Sequence, residues 1–289
     1  MAYLLLLACA VTLLIYTYRR APERWPSHLV SMMAMSASLG LIDLIICELL
    51  QLYTFHPGLA PDLVRDNLLG AVLADYLFLS ITFGCLMVLF PRHRTLAGAG
   101  LILLIAGVEI VFRRYGLFVY HFWSIWATIV LFALRFALAV WWLDLLERVG
   151  YSPVFRLLFS AVSSAFFWWF YIALTSGLPM LWGMRLHLLG SPAADRVLSI
   201  YLLHGLTYGS FSMLFLYRRW GDQAWHWWGF GAGWAAYLYI LRALGIYRHL
   251  AGWSPLYDAA ALTALLWVCT LLDHWMDRNF HSSRPRARD

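Results

Sequence analysis

Along the chain, long apolar runs alternate with short breaks rich in Pro, Gly or Arg. An apolar run of about 20 residues is what a helix needs to cross a bilayer. Nine runs approach or exceed that length: Ala2–Tyr18, Leu29–Phe55, Leu68–Phe90, Leu96–Phe112, Leu117–Leu146, Val154–Ser176, Val197–Tyr217, Trp225–Tyr247 and Pro255–Leu272. The breaks include Arg19–Pro26, His56-Pro57-Gly58, Pro91–Arg94, Gly150–Pro153, Gly190–Pro192, Arg218–Asp222 and Gly252–Pro255, each carrying a helix-stopping residue or charge. The pattern predicts an all-α, polytopic transmembrane bundle of about nine spans.

The first run has no positive charge before it, and Arg19-Arg20 follow it. A signal peptide has the opposite order, so an uncleaved helix with an outer N-terminus is expected. Arginine placement agrees. With nine spans and the N-terminus outside, the inner segments hold Arg19, Arg20, Arg24, Arg92, Arg94, Arg148, Arg156, Arg218, Arg219 and the tail arginines 278, 284, 286 and 288. The outer segments hold Arg65, Arg113, Arg114, Arg185, Arg196 and Arg248. Thirteen against six favours N-out, C-in by the positive-inside rule.

Composition turns this reading into an exclusion. Hydrophobic residues make up 63% of the 289 positions and charged residues 12%, with a mean hydropathy of +0.71. A soluble domain holds about 45–50% apolar and about 25% charged residues, so lipid must be the solvent for most of this chain. Soluble enzymes, disulfide scaffolds and nucleic-acid modules fall away. The net charge of +6 is carried by Arg alone, which reads as codon usage. With no Lys there is no Schiff base for retinal or pyridoxal phosphate. Cys9, Cys47, Cys85 and Cys269 lie singly inside apolar runs and read as packing residues. The 16 Trp and 16 Tyr fit interfacial anchoring. No His-Glu-x-x-His, phosphate-binding loop or Gly-x-Ser-x-Gly occurs. No cofactor and no metal are therefore expected, and Asp273, His274 and Asp277 read as a solvated helix end.

The chain also repeats itself. Trp123-Ser124 is followed 24 residues on by Glu147-Arg148, and Trp253-Ser254 by Asp277-Arg278, an offset of 130. Asp66 matches Asp195 and Leu69 matches Leu198 at 129, and Gly98-Ala99-Gly100 matches Gly231-Ala232-Gly233 at 133. The expected organisation is an N-terminal helix and basic loop (1–27), a four-helix repeat (28–148), a second four-helix repeat (152–278) and a basic cytoplasmic tail (279–289). An even number of spans per repeat makes the repeats parallel, related by an axis along the membrane normal, unlike inverted-repeat transporters.

Within 25–135, Trp25-Pro26, Leu89-Phe90-Pro91, Val108-Glu109-Ile110 and Tyr120-His121-Phe122-Trp123-Ser124 resemble the small multi-pass membrane proteins found in many copies in spore-forming Firmicutes. The resemblance implies a bacterial inner-membrane protein and brings no activity with it. The doubling of the chain departs from that family.

Charge inside a bilayer costs about 2.5–3.5 kcal/mol per residue on insertion scales, so ionisable residues within the spans mark candidate sites. They are Asp43, Glu48, Asp75, Glu109, His121, Arg135, His204 and Arg242. Asp75 and His204 are equivalents at offset 129, and the polar set crowds the outer half of the membrane. The candidate binding site is an outward-facing polar cavity between the repeats, formed by Asp75, His204, Glu109, His121 and Arg135. The competing structural reading pairs Glu109 with Arg135 and lets Glu48 and His121 reach the interface. Three functions are compatible: a small-solute or proton- or cation-linked permease or channel-like protein, a non-catalytic sensor, scaffold or sporulation-associated component, and an intramembrane enzyme on a lipid or isoprenoid. The partners are the bilayer, a small solute or ion, and, as an open option, a second copy of the chain. No nucleic-acid partner is expected.

Overall fold

The apolar runs fold mainly as helices, and several divide at short strands. The computed structural model describes residues 1–43, 46–47, 50–61, 63–172, 174–175, 181–190, 192–249 and 252–281. Among them the order is α1 (Ala2–Arg20), α2 (Trp25–Asp43), β1 (Tyr53–Phe55), α3 (Leu63–Ala71) and α4 (Ser80–Leu89), then α5 (Arg94–Arg114), β2 (Phe118–Tyr120) and α6 (Ile125–Val149). The second half runs α7 (Pro153–Ile172), β3 (Trp182–Met184), α8 (Pro192–Ser199), α9 (Leu206–Tyr217), α10 (Ala224–Ala243), β4 (Tyr247–His249) and α11 (Pro255–His281). A π-helical stretch, Val72–Leu79, joins α3 to α4, and another, Ile200–Gly205, joins α8 to α9. Each joined pair is one continuous rod, so the described residues form nine helices and the fold is all-α apart from two short ribbons.

The chain divides into two units, Met1–Val149 and Gly150–Asp289. In the first, α2 packs on α4, α5 on α6, and α1 against the π-helical stretch and α4. In the second, α7 packs on α9 and α11, and α10 on α11. Among the described residues, six helices are long and apolar enough to span a bilayer, beginning at Ala2, Arg65, Arg94, Ile125, Pro153 and Pro255. Their outward faces are apolar: Leu103 is 71% exposed and Leu134 65%. Polar side chains such as His28, Ser31, Ser160 and Ser212 are buried. A water-soluble core has the reverse distribution, and the chain is a multi-pass membrane protein.

Three expected spans end differently. Leu29–Phe55 is not one helix: α2 stops at Asp43, and Tyr53-Thr54-Phe55 is a strand. Leu117–Leu146 starts as strand Phe118–Tyr120, and its helix begins only at Ile125. Trp225–Tyr247 loses its end to β4. The physical reason is local. Two of the affected triplets, Tyr53-Thr54-Phe55 and Phe118-Val119-Tyr120, are wholly aromatic or β-branched, which suits a pleated surface. Gly116 and Gly245, at φ +67° and +73°, turn the chain out of α5 and α10 as only Gly does without strain. The strands pair antiparallel, Tyr53 with Tyr120 and Phe55 with Phe118, and Trp182 with His249 and Met184 with Tyr247. Pairing satisfies backbone groups that hydrocarbon would leave unmet.

A buried carboxylate anchors each ribbon. Asp66 accepts the backbone N–H groups of Gly58, Leu59 and Ala60 at 2.9, 2.7 and 3.0 Å. Asp195 accepts those of His187, Leu188 and Leu189 at 3.0, 2.6 and 3.1 Å. Asn67 Oδ1 accepts from Phe55 N–H at 2.7 Å. Beside it, Gly70 lets α3 lie on β1: a Cβ there would sit 2.2 Å from Phe55 Cβ. Gly70→Ala is expected to cost about 1–3 kcal/mol through overpacking, read as a lower unfolding temperature in detergent. An unchanged temperature would show that α3 and β1 do not meet this closely.

Candidate functional site

The first unit has a half-open cavity of about 70 Å³ at the end that carries the N-terminus and the β1–β2 ribbon. That is room for several waters or a small solute, since one water needs about 10–15 Å³. Its wall is largely aromatic, with Tyr3, Tyr53, Phe55, Phe118, Trp123 and Phe132 among the lining residues. Into this wall are set Asp75, Glu109 and Arg135, three of the five residues expected from sequence. All three are buried, at 6%, 8% and 4% exposure.

Each is placed by a different element. Asp75 lies in the π-helical stretch, where the widened turn departs from the usual spacing of side chains, a feature frequent at functional sites. Ser80 Oγ donates to the Asp75 carbonyl at 3.1 Å, supplying a partner the i+4 ladder does not. Glu109 sits near the end of α5 and is held by two hydroxyls. Tyr120 of β2 donates to Glu109 Oε1, and Thr128 of α6 donates to the same oxygen at 2.9 Å. Trp123 Nε1 in turn donates to Thr128 Oγ1 at 2.7 Å. Burial and the Glu109 carboxylate push the Tyr120 hydroxyl above its ordinary value, which keeps it protonated and donating. The Arg113 guanidinium lies over the Tyr120 ring, 4.6 Å from its centroid. Arg135 lies seven residues, two turns, beyond Thr128 on the same face of α6, its guanidinium 5.4 Å from the Phe132 centroid.

The structural alternative paired Glu109 with Arg135. Tyr120 and Thr128 are hydrogen-bond partners of Glu109, and Arg135 lines the same cavity. The lining thus sets two carboxyls and one guanidinium into a largely aromatic wall.

His121 takes no part in this lining. It is exposed and lies 3.3 Å from Thr54 Oγ1, which also meets His56 Nε2 at 3.0 Å. His204 belongs to the second unit, where it too lies in the π-helical stretch. It is fully buried, and Trp168 Nε1 donates to its Nδ1 at 2.8 Å. An accepting Nδ1 places the ring proton of the neutral imidazole on Nε2. Trp182 stacks on the ring at 4.8 Å and Tyr171 at 5.8 Å, with Trp234 edge-on at 5.2 Å. The space around His204 is thus occupied by aromatic side chains. Trp182 stacks further on Tyr247 at 5.7 Å, whose hydroxyl donates to the buried carboxyl of Asp258 at 2.5 Å.

Glu48 lies outside the described residues, and Arg242 is exposed. Asp273 corrects the expected solvated helix end. It is 2% exposed and takes a bidentate pair from Arg156 at 2.7 and 3.2 Å, with Tyr151 donating as well. Among the described residues no group of three His, Cys, Asp or Glu could hold a metal. Sequence patterning did not single out Tyr120 and Thr128 as partners of Glu109, or Trp123 as the donor to Thr128. The Trp123-Ser124 pair was the available signal. Ser124 caps α6, accepting Ala127 N–H at 3.2 Å, and Trp123 reaches the next turn. Comparisons with protein-family models, curated proteins and solved structures give no match.

Proposed function

We propose that the chain is a nine-span protein of a bacterial inner membrane, N-terminus outside, built from two tandem four-helix repeats behind one extra helix. We further propose that it is a small-solute permease or channel-like protein, with a cation or a proton-linked solute bound in the first-unit cavity.

Corresponding elements support the repeat. The ribbons pair Tyr53 with Tyr120 and Trp182 with His249, paired positions offset by 129 in both cases. Asp66 and Asp195 each take three consecutive backbone N–H groups. Trp123 bonds Thr128, and Trp253 bonds Asp258 at 3.3 Å. Asp75 and His204 fall in corresponding π-helical stretches.

One observation carries the function: two carboxyls and a guanidinium share one aromatic cavity inside a membrane bundle. A charged group in that setting marks a solute or ion path by default, and an aromatic wall adds attraction for a cation. The test is flux in proteoliposomes, following protons with an internal pH dye and small cations with a tracer. Asp75→Asn with Glu109→Gln is expected to reduce flux at least about tenfold, the effect of losing roughly 1.4 kcal/mol of binding. His121→Ala should leave it unchanged. Flux unaltered by the double variant would sink the proposal.

A further inference from the structure

The second unit has another concavity, at the helix ends remote from the β3–β4 ribbon. It measures about 800 Å³ and lies among the start of α7, the end of α9 and the end of α11. Four guanidiniums line it, those of Arg156, Arg218, Arg219 and Arg278, together with Tyr217 and Asp277.

The charges do not cancel. Arg156 is neutralised by the buried Asp273. Arg219 pairs with Asp277 and has a left-handed backbone, φ +54°. Arg278 donates to the backbone carbonyl of His274, at 3.3 Å, and meets no acid among the described residues. Arg218 meets no acid among the described residues, and both Arg218 and Arg278 are exposed. Two acids against four arginines leave two positive charges facing one basin. The α7 N-terminus, with Pro153 in the lining, adds the positive end of a 20-residue helix.

The position supplies the ligand class. α7 and α11 are both long and apolar enough to span the bilayer, so a basin at their ends lies in the headgroup layer. Guanidiniums there meet phosphate oxygens bidentately and are attracted to anionic lipid. A volume within about 300–1,000 Å³ suits a headgroup-sized ligand.

We propose that this basin, between the ends of α7, α9 and α11, binds the phosphate of an anionic phospholipid headgroup through Arg218 and Arg278, with Arg156 and Arg219 held as its walls by Asp273 and Asp277. The site is independent of the first-unit cavity and of any flux through it.

The full-length protein in nanodiscs of phosphatidylcholine, with and without phosphatidylglycerol, is the material for the test. Retained lipid is counted by native mass spectrometry, and affinity is read by titrating phosphatidylglycerol into protein in neutral detergent. Arg218→Ala with Arg278→Ala is expected to weaken phosphatidylglycerol binding about tenfold or more. Arg20→Ala with Arg248→Ala, removing the same charge from exposed positions elsewhere, should leave it unchanged. Equal unfolding temperatures of the two double variants show that the loss is not misfolding. A third arm titrates inorganic phosphate alone. If phosphate binds through the same two arginines and phosphatidylglycerol does not, the ligand comes from solution and the lipid assignment is overturned. Equal weakening by both double variants, or by neither, overturns the site.

Discussion

Asp273→Ala is expected to lower the stability of the second unit by about 3–5 kcal/mol, the range for removing one partner of a buried ion pair. The carboxylate ties three things together: it takes two hydrogen bonds from Arg156 of α7 and a third from Tyr151. Without it, a guanidinium with only 14% of its side chain exposed loses its counter-charge. Thermal unfolding in detergent measures the loss. Asp273→Leu combined with Arg156→Met should recover much of it, because apolar replacement of both partners removes the unpaired charge. A single variant as stable as the parent would mean that the pair does not hold α7 to α11.

The second large effect is expected at the ribbon anchors. Asp66→Ala orphans the N–H groups of Gly58, Leu59 and Ala60 around a site that is 4% exposed. The cost is about 2–4 kcal/mol, and the β1 side of the first-unit cavity should loosen with it. Amide hydrogen exchange is the sharper readout, with faster exchange at 53–60 and little change in α5. In the second unit the anchor carries a pH signature. Enclosure opposes ionisation of Asp195, but the N–H donors of Leu189, His187 and Leu188 outweigh it and hold the carboxyl below the usual carboxylate range. A depressed folded-state value means that its stabilisation is present above the unfolded value, about pH 4, and fades as pH falls through the lower folded value. Asp195→Asn should remove that acid-side loss. An acid profile identical to the parent would assign the transition to other groups.

The membrane class was legible because it depends only on how much apolar surface the chain must hide. The helix rods were legible for the same reason. The ribbons were not, because Tyr53-Thr54-Phe55 and Phe118-Val119-Tyr120 are as apolar as the helices they adjoin. Only their alternation and the following or preceding Gly distinguish them. Asp75, Glu109 and Arg135 stood out as charges in apolar runs, and the first unit brings them to one cavity. Their spacing in sequence, 34 and 26 residues, says nothing of that meeting, which depends on the packing of α5 on α6 and on the ribbon. His121 stood out equally, yet it lies on the exposed side of β2's end, since the apolar run containing it is strand and turn, not helix. The arginine basin was visible only as a count of inner-side charges. Sequence gave no sign that Arg156, taken by Asp273, and the exposed Arg218 and Arg278 share one concavity.

Water is expected to reach the cavity that holds Asp75, Glu109 and Arg135 inside a lipid-embedded first unit. Cysteine accessibility tests it most directly, in a background with Cys9, Cys47, Cys85 and Cys269 replaced by Ser or Ala and the protein reconstituted in vesicles. Ala74→Cys, in the cavity lining, and Leu103→Cys, on the exposed apolar face of α5, are treated with a small, charged thiosulfonate. The account predicts rapid modification at position 74, slowed by a bound cation, and none at position 103, which lipid shields. Modification at 103 as fast as at 74, or none at 74 in a folded protein, would contradict it.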